Sequence, residues 1–156
     1  MKTILLLFLM TISMTALQAQ TIVKSVEAAE SESIDISEID AQYADALNAN
    51  EELAVFNDHQ SEFFNSYRQL ITDIASHLNS NGFLFDGDTR MYTRIYFDMN
   101  GTIEHFYYSS DQAGFNKEKE QQFNSLLRPF LSEYQFAQNA NQPFAQCSPV
   151  VYASSK

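Results

Sequence analysis

The chain has 156 residues and carries 9 Lys and Arg against 20 Asp and Glu, a net charge of −11 with histidine neutral. A surface this acidic repels polyanions, which argues against a nucleic-acid or anionic-membrane partner. The single cysteine, Cys147, leaves no intramolecular disulfide, so the fold must rest on its apolar core, and a lone cysteine between apolar runs reads as a buried, inert thiol.

Residues 1–19 combine Lys2, an apolar run from Ile4 through Met10 to Leu17, and the small residue Ala19, the layout of a signal peptide removed on export. Thr11, Ser13 and Thr15 interrupt the run and no basic stop-transfer cluster succeeds it, which argues against an uncleaved anchor. No cysteine lies near the cleavage site, so a lipoprotein anchor is excluded. Export removes Lys2 and no acid, taking the charge to −12. The expected localisation is periplasmic or secreted, with no membrane anchor after cleavage.

Residues 20–49 are expected to form an acidic, partly disordered or helical segment. From Ser25 to Tyr67 there are 11 acids and no Lys or Arg, a run that self-repulsion keeps extended and solvated. Ile36, Ile39, Tyr43 and Leu47 make a weak helical stripe within it. Residues 50–156 are then the folded domain, roughly 100 residues being enough for one core and too few for two.

The first strong helical pattern is Leu53, Phe56, Phe63, Phe64, Tyr67, Leu70, Ile71, Ile74 and Leu78. Asn50 before Glu51 and Glu52 offers an N-cap, the polar Asn57 and Gln60 offer a start nearer Asp58, and Asn81-Gly82 offers a C-cap. Asp86-Gly87-Asp88 lacks the remaining oxygen ligands of a calcium loop and reads as a turn.

Arg90–Ser110 reads as a β-hairpin, with Phe83, Leu84 and Phe85 expected to pack beneath it. Met91, Thr93, Ile95 and Phe97 alternate with Arg90, Tyr92, Arg94 and Tyr96, and Asp98-Met99-Asn100-Gly101 closes the turn, either as a two-residue type I′ or as type I with a Gly101 bulge. On the return arm Ile103, Phe106 and Tyr108 share the core face only if one extra residue is inserted near Glu104-His105, so a bulge is expected there. Phe115, Phe123, Leu126, Leu127, Phe130 and Leu131 mark a second amphipathic helix from Lys117, which Pro129 should kink or end near Leu127. Val150-Val151-Tyr152 has strand composition, and Pro143 and Pro149 confine it to an edge or to strand ends. The expected fold is α+β, a small antiparallel sheet of the central hairpin plus one C-terminal strand packed on two amphipathic helices.

The order helix, strand, Asp-x-Asn-Gly turn, strand ending in Ser109-Ser110, helix, Tyr134-x-Phe136, Pro143-Phe144 and terminal strand resembles the C-terminal domain of TonB, the energy-transducing protein of the bacterial envelope, over about residues 63–152. The resemblance implies that fold and binding through an edge strand. It does not extend to energy transduction, because the chain has no Pro-rich spanning linker and its leader reads as cleaved.

Catalytic motifs are lacking. His59, His77 and His105 fall on three separate elements, and adjacent Glu104 and His105 on a regular strand would point to opposite faces. No catalytic residue, metal ligand or cofactor is assigned. The candidate binding residues are Arg90, Tyr92, Arg94, Tyr96 and Tyr107, an aromatic and basic sheet face, with Val150 and Tyr152 on the terminal strand. The expected function is an exported, non-enzymatic binding module that takes a protein or peptide of the envelope on an edge strand. The alternative is a small periplasmic or secreted enzyme, which a pocket of polar groups beside Glu104 or His105 would favour.

Overall fold

In a computed structural model, which describes residues 20–154, the chain runs β1 (Ile22–Ser25), α1 (Val26–Ser31), α2 (Ile36–Asp40), β2 (Ala44–Asp45), α3 (Gln60–Ser80), β3 (Thr89–Phe97), β4 (Ile103–Tyr108), α4 (Ser110–Ala113), α5 (Lys117–Glu133) and β5 (Phe144–Tyr152). The leader expected at residues 1–19 lies outside the described residues. The fold is α+β, with a five-stranded mixed sheet in the order β1-β4-β3-β5-β2 packed on helices. β3 pairs antiparallel with β4 and β5, while β1 and β2 add parallel strands at the two sides.

The hairpin forms as its residues require. Gly101 donates to the carbonyl of Asp98 at 3.1 Å and sits at φ 85°, whereas Asn100 keeps a negative φ, so the turn is type I with a glycine bulge. Asp98 Oδ1 accepts the amides of Asn100 and Thr102, holding the turn from inside. Tyr96 pairs with His105 and Phe97 with Ile103, leaving Glu104 as the extra residue of a β-bulge. That bulge brings Ile103, Phe106 and Tyr108 onto one buried face, as their spacing demanded.

On this face α3 and α5 cover the sheet through Phe63, Leu70, Ile74, Leu78, Phe123, Leu127 and Leu131. Asn50 caps a 3-10 turn at Glu51–Leu53 and not α3, which begins at Gln60 after a second such turn. Gly82, at φ 78°, ends α3. Phe83 and Phe85 enter the core, but the alternation of an extended chain turns Leu84 outward. α5 continues through Pro129 to Glu133, so of the kink or end expected near Leu127 the end does not occur. Buried Leu131 and partly buried Phe130 and Tyr134 tie its last turn to the core, offsetting the missing amide, a cost of about 3 kcal/mol.

The larger correction concerns the acidic segment. It carries two strands and two helices that pair with and cover the sheet, so the sheet draws on both sides of residue 50 and the C-terminal strand is not its last strand. Ser25 and Asp35 cap α1 and α2 through their side-chain oxygens. Val26, Ile34, Ile36, Ile39 and Tyr43 pack over buried Ala29, Tyr96, Tyr107 and Ala145. Several of the acids that suggested repulsion find donors. Asp40 accepts from Arg94 at 2.5 Å and from the Tyr96 hydroxyl at 2.6 Å, and Glu32 pairs with Lys24, while Tyr43 of the same segment donates to Glu104 on β4 at 2.8 Å.

Candidate binding edge

β5 has one side on β3 throughout and the other covered only at its start. Its pairing with β2 spans Phe144 and Ala145. The ladder determines which groups face outward beyond that point. The Tyr92 carbonyl accepts Ser109 N–H, so the backbone groups of Tyr92 point toward β4, and its partner Pro149 turns its own away from β3. Alternation then sends Ala145, Cys147, Pro149 and Val151 outward, and the Ala145 carbonyl indeed accepts Ala46 N–H. Past Ala145 the open edge offers the amide of Cys147, the carbonyl of Pro149 and both groups of Val151. Gln146 Nε2 occupies the Cys147 carbonyl at 3.1 Å. Pro149 contributes no donor, which blunts the edge against indiscriminate pairing.

The opposite edge is closed. Arg128 donates to the Val23 carbonyl at 3.4 Å, and Ser132 Oγ accepts Thr21 N–H at 3.1 Å, so side chains of α5 occupy the outer side of β1.

α3 borders the open edge on the core side. The Tyr67 hydroxyl lies 2.6 Å from Ser148 Oγ, and burial raises the pKa of this phenol. Asp73 and His77, on the flank facing α5, bond to the Tyr134 hydroxyl and to the Leu126 carbonyl. The other flank, bearing Phe64, Arg68, Ile71 and Ala75 at helical spacing, therefore lies on the β5 side. Phe64 is 52% exposed and Val151 55%.

The seven residues singled out from the sequence separate into two groups. Arg90 and Tyr92 are exposed and Arg94 is half-buried, all on the sheet face away from α3. Tyr96 and Tyr107 share that face but are buried beneath α1 and α2, and Val150 and Tyr152 point into the main core. These four form no accessible surface. An inward-pointing residue of a half-buried strand looks the same in sequence whether or not something covers its neighbour. Arg68 and Phe64 were missed as site residues because a helical stripe does not reveal which strand runs beside its flank.

Ionisation reinforces the cover. Burial disfavours the charge on Arg94, but Asp40 together with Cys147 and Tyr96 raises the guanidinium pKa on balance; burial and the bond to Asp40 hold the Tyr96 phenol neutral. Glu27 accepts from Ser109 Oγ and from the amides of Ser110 and Asp111, tying α1 to the start of α4. Burial opposes its charge, yet these donors lower its pKa. The Cys147 thiol, half-buried beside Arg94, is raised chiefly by burial.

Beside the hairpin lies a cleft of about 400 Å³ lined by residues that include Asp98, Thr102, Glu104, His105 and Ser132. The bulge overturns the expected separation of Glu104 from His105, for Tyr43 bonds the first and meets the second edge-on at 6.2 Å. Burial lowers the His105 pKa, with Glu104 opposing, and its Nδ1 is buried without a partner. Two other polar groups of the cleft are committed, Asp98 to its turn amides and Ser132 to Thr21 and the Arg128 carbonyl.

No protein family, curated protein or solved structure matches the chain. Among the described residues no helix is long and apolar enough to cross a membrane, and no group of three or more His, Cys, Asp or Glu could hold a metal ion.

Proposed function

We propose that the chain is an exported, non-enzymatic binding module of the bacterial envelope that takes an extended segment of a protein or peptide partner along β5. The observation that carries this reading is the edge left open between Cys147 and Val151, flanked on both faces by exposed apolar and cationic side chains. An added strand would draw affinity from main-chain bonds and selectivity from side chains that alternate between the two faces. The order of α3, β3, β4, α5 and β5 is the order on which the resemblance to the TonB C-terminal domain rests, and it supports the same mode of binding. Export to the periplasm or beyond belongs to the same proposal.

Hydrogen exchange tests it directly. Saturating an extended peptide captured from the envelope should slow exchange at the amides of Cys147 and Val151, and Val151→Pro, which removes an outward donor and leaves the β3 ladder intact, should weaken binding. Unchanged exchange at both amides with bound peptide would refute strand addition.

The cleft beside Glu104 and His105 favours a second reading, a small periplasmic or secreted enzyme with His105 as its acid or base. That reading requires a turnover lost in His105→Gln.

A further inference from the structure

Resting on the strand-addition reading above, we infer that the partner segment is acidic, with two carboxylates three residues apart that meet Arg68 and Arg90 on opposite faces of the added strand. Three cations of the described residues are already held: Lys24 by Glu32, Arg94 by Asp40 and Lys119 by Asp86. Arg68 and Arg90 have no ion pair among the described residues and are exposed; Arg68 flanks the open edge on the core side, and Arg90, on β3, faces it from the other side across Val151. In a chain with 20 acids and 9 Lys and Arg, two unpaired arginines beside the blunted open edge of β5 select for opposite charge.

The spacing is set by the two elements that carry them. α3 runs alongside β5 in the same direction, Tyr67 lying at Ser148 and Ala75 and Asn79 near Tyr152. Arg68 is one residue beyond Tyr67, about 1.5 Å further along the helix axis. Arg90 is paired with Val151, three residues beyond Ser148 and so about 10 Å along the strand. The two guanidinium groups are therefore offset by about 8 Å, two to three residues of extended chain. Arg68 lies on the core-side flank and Arg90 on the other sheet face, and only an odd spacing places two side chains of one strand on opposite faces, which leaves three. Between the carboxylates, an apolar residue on the Arg68 face would rest on exposed Phe64 and half-buried Ile71, and one on the Arg90 face on Tyr92 and Val151. Because Pro149 removes one main-chain bond from the middle of the edge, side-chain recognition must supply what the ladder does not.

The probe is a fluorescent, blocked octapeptide with the core Glu-Val-Thr-Glu, compared with Gln-Val-Thr-Gln, with Lys-Val-Thr-Lys and with Glu-Val-Glu, each titrated against the full exported chain while exchange at Cys147 and Val151 is followed. The Glu-Val-Thr-Glu peptide should bind at least about fivefold more tightly than the others, and increasingly so as salt is lowered. Arg68→Glu and Arg90→Glu should each erase that preference, whereas Lys117→Glu, the same charge change at an exposed site on α5, should retain it. Equal binding of the charged and neutral peptides with both amides protected would overturn the acidic partner and leave strand addition standing. Equal binding of Glu-Val-Glu would overturn the two-faced arrangement. Peptide binding without amide protection, or no binding by any of the four, would overturn strand addition and this inference with it.

Discussion

The two faces of the sheet are stabilised differently. On the α3 and α5 face, seven phenylalanines from Phe63 to Phe144 are almost wholly removed from water and pack ring against ring, as Phe97 does on Phe144 at 4.8 Å. On the other face, among the described residues, the buried apolar cluster is Ala29, Tyr96, Tyr107 and Ala145, and the α1 and α2 cover is fastened at its margins by carboxylates. The first face is held by apolar area, which is non-directional and tolerant. The second is held by a few directed bonds, each of which can be removed singly.

The largest expected effect lies on the first face. A Cβ at Gly101 would meet the carbonyl oxygens of Phe136 and Gln138 at 2.8 and 2.9 Å, at a backbone angle that side chains rarely adopt. Phe136 N–H donates to the Gly101 carbonyl, so neither chain can retreat without losing that bond. Gly101→Val should cost about 3 kcal/mol or more, strain and overpacking together. Gly114→Val, with nothing within 4 Å of the new Cβ, should cost about 1 kcal/mol. Urea midpoints of the two variants check the contrast, and equal midpoints would mean that the turn does not dock on residues 136–138.

On the second face Asp40→Ala should be the most damaging change, because it strands the hydroxyl of buried Tyr96 and frees Arg94 together. The pair is partly exposed, so the expected loss is about 1–2 kcal/mol. Amide exchange should quicken over α1 and α2 while α3 and α5 keep their protection. Uniform quickening would show that the two faces are not separable.

How much was legible in the sequence obeys the same division. Period-two and period-3.6 patterns mark β3, β4, α3 and α5, and the spacing of Ile103, Phe106 and Tyr108 alone betrays the bulge at Glu104. β1 and β2, of four and two residues, are too short for a period to show. The carboxylate of Glu27 meets Ser109 and Ser110, 82 and 83 residues away, so its role is invisible locally and the acidic run reads as repulsion. Of the candidate site, Arg90 and Tyr92 stand where the alternation put them, and burial of Tyr96 and Tyr107 depended on a cover that no local pattern announces.

Acid should loosen the cover through Glu27. Its donors lower the folded pKa below the ordinary value of 4.5, so its contribution to stability is complete above that value and is lost as pH falls through the folded pKa. Glu27→Gln should lower stability at neutral pH, and the difference between parent and variant should shrink on acidification below about pH 4.5. A difference that stays constant down to about pH 3 would place the role of Glu27 in shape and not charge.

The smallest effects sharpen the comparison most, because one atom is removed on each face. The Tyr43 hydroxyl donates to Glu104 at the margin of the cover. The Tyr152 hydroxyl is buried in the main core with no partner, its ring stacked on Phe85 at 4.8 Å. Deleting a satisfied hydroxyl loses a hydrogen bond, whereas deleting an unsatisfied one removes a desolvation penalty and leaves the ring packing in place. Tyr43→Phe should therefore destabilise by about 0.5–1 kcal/mol, and Tyr152→Phe should be neutral or stabilising by up to about 1 kcal/mol. Opposite signs from one chemical change would show that the Tyr43 oxygen holds the cover and that the Tyr152 oxygen burdens the core. A loss in Tyr152→Phe equal to that in Tyr43→Phe would mean that the core hydroxyl has a partner in solution.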